Sequence, residues 1–178
     1  MSRYLRPRLL GCPIFFTVAL AARGGAMMVD HVHLLRALVA QTRAERPFGI
    51  DAWVVLPDHL HCIWRLPDGD TDYSARWGAI KARFTRAVRE VDGRKVGWNP
   101  TLRSASKLTK GDAGLWQRRF WEHHIRDVAD MAAHLRYCWW NPVKHGFVKR
   151  PEDWQYSSVH REIAAGRYEP TPDVARGS

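Results

Sequence analysis

The stretch Asp51-Ala52-Trp53-Val54-Val55-Leu56-Pro57-Asp58-His59-Leu60-His61-Cys62-Ile63-Trp64-Arg65-Leu66 holds two apolar runs parted by a Pro-Asp pair. β-Branched and aromatic residues dominate both runs, and Pro-Asp is turn chemistry, so the segment reads as two strands, Phe48–Leu56 and His59–Leu66, joined tightly. In the second strand Leu60, Cys62, Trp64 and Leu66 point to one face and are fit for a core. His59 and His61 then share the opposite face, where both can reach one divalent ion. Two imidazoles leave the ion open positions for water, a third ligand and a phosphate oxygen.

Upstream, Ile14-Phe15-Phe16-Thr17-Val18 reads as the centre of a first strand over residues 14–21. Met1 to Ala22 has the outline of a secretory signal, but Pro13 and Thr17 interrupt its apolar run, which is also too short to span a bilayer. The strand reading is preferred, and it places the chain in the cytoplasm with no membrane partner. Asp30 is the expected N-cap of a helix to about Arg43, with Val32, Leu35, Leu38 and Val39 on its apolar stripe. Downstream, Asp70 to Val91 is predicted helical, with Tyr73, Trp77, Ile80, Phe84, Val88 and Val91 on one face and Arg76, Arg83, Arg86 and Arg89 on the other. Residues 92–113 read as a long basic loop. Leu115 to Ile125 is the fourth expected strand, and Arg126 to about Trp140 a further helix stopped by Asn141-Pro142. The order is βαββαβ plus a helix, which predicts an α+β, ferredoxin-like antiparallel sheet with helices on one face and the other left free. Residues 1–150 form the expected single domain, and 151–178 a short C-terminal extension or tail.

Two other histidine pairs serve as internal controls. His31 and His33 fall at a helix start, where residues two apart diverge by about 200° and cannot easily chelate one ion. His123 and His124 are adjacent on a strand and point to opposite faces. Only His59 and His61 have chelating geometry.

Composition narrows the partner. The chain has 178 residues, 28 Lys and Arg against 18 Asp and Glu, and a formal net charge of +10. Thirteen of those cations and only four acids lie between Arg76 and Arg126, so this stretch carries nine of the ten net charges. A localised surplus is the electrostatic footprint of a polyanion surface, and with nine Trp it suits single-stranded nucleic acid. Trp116 and Trp121 flank Arg118 and Arg119, so one ring is expected to stack on a base while the other packs inward. Three cysteines without a CxxC pair exclude a disulfide scaffold.

The helix after the fourth strand has two stripes. Val128, Met131, Ala132, Leu135, Cys138 and Trp139 repeat with core spacing. Asp127, Asp130, His134, Tyr137 and Asn141 form a polar stripe, with Asn141 one turn beyond Tyr137 and able to offer a carbonyl oxygen to a hard cation. Spacing alone leaves open a surface tyrosine and a helix-ending asparagine.

These segments, in order, resemble the REP-associated tyrosine transposases, bacterial single-tyrosine relatives of the small insertion-sequence transposases. The likeness runs from Asp51 to His61, through Arg76-Trp77 and Lys81-Ala82-Arg83-Phe84, to Trp116-Gln117-Arg118-Arg119-Phe120-Trp121-Glu122-His123. It continues in Tyr137-Cys138-Trp139-Trp140-Asn141-Pro142-Val143-Lys144-His145-Gly146 and Asp153-Trp154-Gln155-Tyr156-Ser157-Ser158, so it covers nearly the whole chain. The resemblance implies a metal-dependent enzyme that cleaves and rejoins single-stranded DNA at hairpin-containing, REP-like repeats through a 5′-phosphotyrosine. It makes Tyr137 the nucleophile, His59 and His61 metal ligands for Mg²⁺ or Mn²⁺, and Asn141 a candidate third ligand whose geometry depends on Pro142. Candidate DNA contacts are Arg76, Lys81, Arg83, Trp116, Arg118, Arg119 and Trp121. The family also implies a monomer acting in the cytoplasm at the nucleoid. Two readings stand beside it: a non-catalytic hairpin-DNA binder, and a metal-dependent nuclease that uses water. Tyr156 is the substitute nucleophile, ranked behind Tyr137. His134, one turn before Tyr137, reads as an ordinary surface histidine.

Overall fold

The structure, a computed structural model, describes residues 11–92 and 114–168. Four strands, β1 (Ile14–Ala19), β2 (Gly49–Val55), β3 (His59–Arg65) and β4 (Trp121–His124), form one sheet in the order β2-β3-β1-β4. Every neighbouring pair is antiparallel, the order of a ferredoxin-like sheet. Between β1 and β2 run a short helix α1 (Met27–Asp30) and α2 (Val32–Glu45), and α3 (Tyr73–Val91) joins β3 to β4. The expected basic loop lies, from residue 93 to 113, outside the described residues.

The first core fills the space between the sheet and helices α2 and α3. Phe16, Val18, Leu60, Cys62 and Trp64 meet Leu35, Val39, Trp77, Ile80 and Phe84 there, all buried. Trp64 and Trp77 stack at 4.2 Å between ring centroids with 14° between their planes. Asp72 caps α3 by accepting from the Ala75 amide at 3.0 Å. Val91, assigned to the apolar face, instead lies in the last turn and is exposed. Asp30 is not the cap of the long helix: it ends α1, and His31 takes the cap position without a side-chain bond.

The other sheet face is not left free. α4 (Val128–Lys144) packs across β2 and β3, and Cys138 joins Phe15, Ala52, Val54, Leu56, Ile63 and Ile125 in a second core. A register shift between Ile50 and Ala52 feeds it: Ala52 and Val54 turn to α4 while Ile50 packs with the first core. Val128, placed by spacing on the apolar stripe, begins α4 clear of the sheet and is exposed.

Pro142 does not stop α4. It lies inside the last turn, where it costs the helix one N–H bond to the carbonyl four residues back, and the helix continues to Lys144. The true stop is a Schellman motif: Gly146, at φ 73°, donates to the Val143 carbonyl at 2.9 Å and Phe147 to that of Pro142 at 3.0 Å. Asn141 is therefore fully helical.

Residues past 150 begin as part of the sheet rather than as a loose tail. After a 3₁₀ turn (Pro151–Asp153), the Val55 amide donates to the Tyr156 carbonyl at 2.9 Å and the Ser158 amide to that of Trp53 at 2.7 Å. The indole of Trp154 donates to the Val55 carbonyl at 2.8 Å, and a one-and-a-half-turn helix α5 (Val159–Ala164) follows. This strap covers the exposed edge of β2.

Candidate active site

The register of β1 on β3 places Thr17 opposite His61 and Ala19 opposite His59. Both histidines face α4 and are buried, with ring centroids 5.1 Å apart. Each ring has its Nδ1 fixed by a neighbour. Asp58 Oδ1 lies 2.6 Å from His59 Nδ1, and Thr17 Oγ1 lies 2.9 Å from His61 Nδ1. With a proton on each Nδ1, both Nε2 lone pairs are left for an ion, the arrangement typical of ligating histidines. Asp58 is itself anchored by the Gly24 amide at 3.0 Å and by Arg23 at 3.1 Å. Burial works against its charge, but the His59 contact, the Gly24 amide and Arg23 outweigh it and hold the carboxyl below its ordinary range.

Burial lowers the pKa of both imidazoles. For His59 the Asp58 contact partly offsets it. For His61, burial and then the charges of His59, His145, Lys144 and Arg23 push the value down to about 3. The ring is neutral at physiological pH, so an ion would meet a free lone pair with no proton to displace.

α4 lays Tyr137 over this pair. Its ring centroid is 5.1 Å from that of His61, and the residue is 40% exposed, which leaves a path for a substrate. Lys144 Nζ stands 5.3 Å from the Tyr137 ring centre. His145, at the C-terminal cap of α4, meets His59 at 5.3 Å between ring centroids. Asn141, one turn past Tyr137, is buried, and neither its carbonyl oxygen nor its amide nitrogen has a partner among the described residues. His61 Nε2 is likewise buried and unpartnered. Buried polar atoms without partners are costly, at about 1–3 kcal/mol each. Two neutral imidazoles and an orphaned carboxamide oxygen fit a divalent ion of the Mg²⁺ or Mn²⁺ kind, which accepts both donor types. Tyr156, the substitute nucleophile, instead packs against the first core on the far side of the sheet.

The remaining candidates divide. All five guanidinium donors of Arg76 are engaged, by Asp70 at 3.2 and 2.6 Å and by the carbonyls of Arg46, Pro47 and Asp72 at 3.2, 2.9 and 2.9 Å. The residue is buried, so the expected DNA contact is instead a brace between α3 and the α2–β2 loop. Arg83 is turned to Glu45 and Thr42 on α2. Lys81 donates to the Gln117 carbonyl at 3.1 Å and sits 5.5 Å from both the Trp116 and Phe120 rings. Trp116 is the inward ring: it is buried, with Nε1 3.1 Å from both the Lys81 carbonyl and Thr85 Oγ1. Trp121 is the outward one, 54% exposed, and Arg118 and Arg119 beside it are exposed too. Of the control pairs, His31 is bound to Asp92 at 2.8 Å and His33 is exposed.

Sequence reading passed over one cluster. His123, Asp130 and His134 bring ligand-type atoms within 4.8 Å of one another. Asp130 holds His123 Nε2 at 2.8 Å, His134 Nδ1 at 3.1 Å and Arg126 Nε at 3.0 Å, and the two imidazoles stack at 4.6 Å. The His123 bond and then the Arg126 guanidinium drive the Asp130 carboxyl far below its ordinary range. With a guanidinium already on that carboxylate, the cluster is an ion-paired brace between β4 and α4, and the cation-ready donors are those at His59 and His61. Thr17 and Asp58 were also passed over as ring-orienting groups; the only trace in the sequence is a polar residue inside an apolar strand and an acid next to a histidine.

A ferredoxin-like sheet thus sets one helical tyrosine against a strand-borne histidine pair. No family model matches the chain. It is 42% identical over 168 residues to a REP-associated tyrosine transposase of Escherichia coli K12, covering 94% of this chain and 88% of that one. A similarly named Haemophilus influenzae protein is 39% identical, with 94% and 91% covered. The solved structure of a REP-associated tyrosine transposase bound to a REP hairpin superposes with a TM-score of 0.78 at 41% identity, over 95% of this chain and 89% of that one. The chain belongs to the REP-associated tyrosine transposases.

Proposed function

We propose that the chain cleaves and rejoins single-stranded DNA at hairpin-bearing, REP-like repeats, with Tyr137 as the nucleophile. The observation that carries this reading is the meeting of Tyr137 with His61 across two separate elements, beside buried donor atoms that lack partners. The Tyr137 oxygen attacks phosphorus, the bond to the 3′-oxygen breaks, and that oxygen leaves as a 3′-hydroxyl while the 5′-phosphate stays on tyrosine. Attack by a 3′-hydroxyl on the phosphotyrosine reverses the step, so the bond energy is kept and no ATP is required. Mg²⁺ or Mn²⁺ at the site would withdraw charge from the phosphate and orient it for in-line displacement. His59, His61 and Asn141 would hold the ion; Asp58 and Thr17 fix the imidazole tautomers; Lys144 brings positive charge beside the nucleophile. Arg118 and Arg119 meet the DNA backbone.

The reading includes a monomer working in the cytoplasm at the nucleoid, as the family resemblance implies. Among the described residues no helix is long and apolar enough to cross a membrane. A denaturing gel tests the chemistry: a labelled hairpin with single-stranded flanks, incubated with protein and Mg²⁺ or Mn²⁺, should yield a slow, protease-sensitive band that chelator abolishes. Tyr137→Phe removes only the hydroxyl of a partly exposed residue and should lack the band while folding normally. Cleavage that persists in Tyr137→Phe would favour attack by water, and binding without any cleavage a non-catalytic hairpin binder.

A further inference from the structure

α4 packs most closely on β2 and β3, and over β1 and β4 it leaves a cavity of about 560 Å³ lined by Phe15, Thr17, Trp121, Ala133, His134 and Tyr137. The geometry points to its occupant: one unstacked nucleobase, belonging to a nucleotide next to the phosphate that Tyr137 attacks. The inference rests on the strand-transfer reading and adds a base-binding subsite to it.

Position is the first argument. Tyr137 lines the cavity, and its ring also meets that of His61, so the cavity adjoins the ion donors. A strand that brings a phosphate to the Tyr137 oxygen must carry its flanking nucleotide within reach of the cavity. The volume lies within the range of about 300–1,000 Å³ usual for small-ligand sites and is ample for one base.

The lining is the second. Phe15 is buried at the centre, with ring contacts to Trp121, His134 and Tyr137 at 5.7, 4.8 and 5.8 Å. Trp121 stands at the rim of an edge strand with half its surface in water, a poor use of the largest apolar side chain unless something covers it. A base does so by stacking, whatever its identity.

The polar groups are the third. When His61 Nδ1–H donates to Thr17 Oγ1, the threonine keeps its own hydroxyl hydrogen to donate to a ligand. His134 has Nδ1 committed to Asp130, 2.8 Å from its carbonyl oxygen, which leaves Nε2 for the cavity. These two groups can meet the edge of a base, while exposed Arg118 and Arg119, just before β4, suit the phosphates on either side.

The experiment uses the full chain and a pool of DNA hairpins with randomised single-stranded flanks. DNA recovered covalently on Tyr137 identifies the attacked bond, and that sequence is then remade with an abasic residue at each flanking position in turn. At one position adjacent to the attacked phosphate, base removal should slow cleavage by wild-type protein about 5- to 100-fold, the worth of one base–aromatic stack. Trp121→Ala should lose a similar factor with intact DNA and lose nothing more when that base is removed. Trp121→Phe should restore most of the rate, and 2-aminopurine at that position should be quenched on binding wild type but not Trp121→Ala. If base removal at both flanking positions is harmless, or costs Trp121→Ala as much as wild type, the subsite is refuted while strand transfer stands. If no DNA is recovered on Tyr137, the strand-transfer reading fails, and the subsite with it.

Discussion

His61 should make the metal-free protein sensitive to mild acid, and the size of the effect follows from its burial. The ring is 3% exposed and its pKa falls from 6.5 to about 3 on folding. A base with a lowered folded pKa is protonated in the unfolded chain first, so its contribution to stability is intact above pH 6.5 and is lost as pH falls below that value towards the folded one. Integrating the linkage from pH 8 to pH 5 gives a loss of roughly 2 kcal/mol. That figure depends on the unfolded pKa alone so long as the folded one lies below about 4.5. It is a large share of the roughly 5–15 kcal/mol by which domains are stable. Urea unfolding in chelator at the two pH values, for wild type and His61→Asn, isolates the term. Asparagine keeps an N–H for Thr17 and removes the titration, so its stability should fall by about 2 kcal/mol less than that of wild type between the two pH values. Equal losses would refute a neutral, buried His61 and with it the ready lone pair at Nε2.

Other perturbations separate bracing from function. Asp58→Asn leaves the His59 ring without its anionic partner and should weaken Mn²⁺ binding, followed by calorimetry, by about 10- to 100-fold. Arg76→Ala breaks a buried brace and should lower unfolding free energy on the order of 3 kcal/mol, without changing how DNA affinity depends on salt. Arg118→Ala should leave the unfolding curve unchanged and reduce the slope of log affinity against log salt by about 1, as expected for one lost phosphate contact. The reverse pattern for the two arginines would overturn their assignment.

Strand periodicity carried most of the fold. The alternation in β3 put Leu60, Cys62 and Trp64 on one face and His59 and His61 on the other without knowledge of what packs where, because the side-chain period of a strand is two. The bulge between Ile50 and Ala52 was invisible for the same reason: both are apolar, so a change of face left no mark on the pattern. Pro142 misled through a rule about helix interiors, whereas Gly146 two residues past the last turn held the actual stop. The run around Trp154 and Ser158 looked like a polar tail because edge pairing by backbone and hydroxyl groups needs no apolar signature.

The arginines show where charge counting fails. Arg76 and Arg118 belong to one basic stretch, yet one is enclosed by carbonyls and a carboxylate while the other meets water. Net charge sums over both, so it predicts a polyanion partner but not the residues that touch it. The polar stripe of α4 was more informative because a helix face is a geometric object: Asp130, His134, Tyr137 and Asn141 stay aligned wherever the helix docks. What the stripe left unstated was the partner surface. Only the sheet register, which brings Thr17, His61 and Trp121 to the face beneath α4, sets that polar line against donors fit for an ion and a cavity walled by rings. The tyrosine touches both. An enzyme that must hold a phosphate still while splaying its base needs both within one nucleotide of the nucleophile.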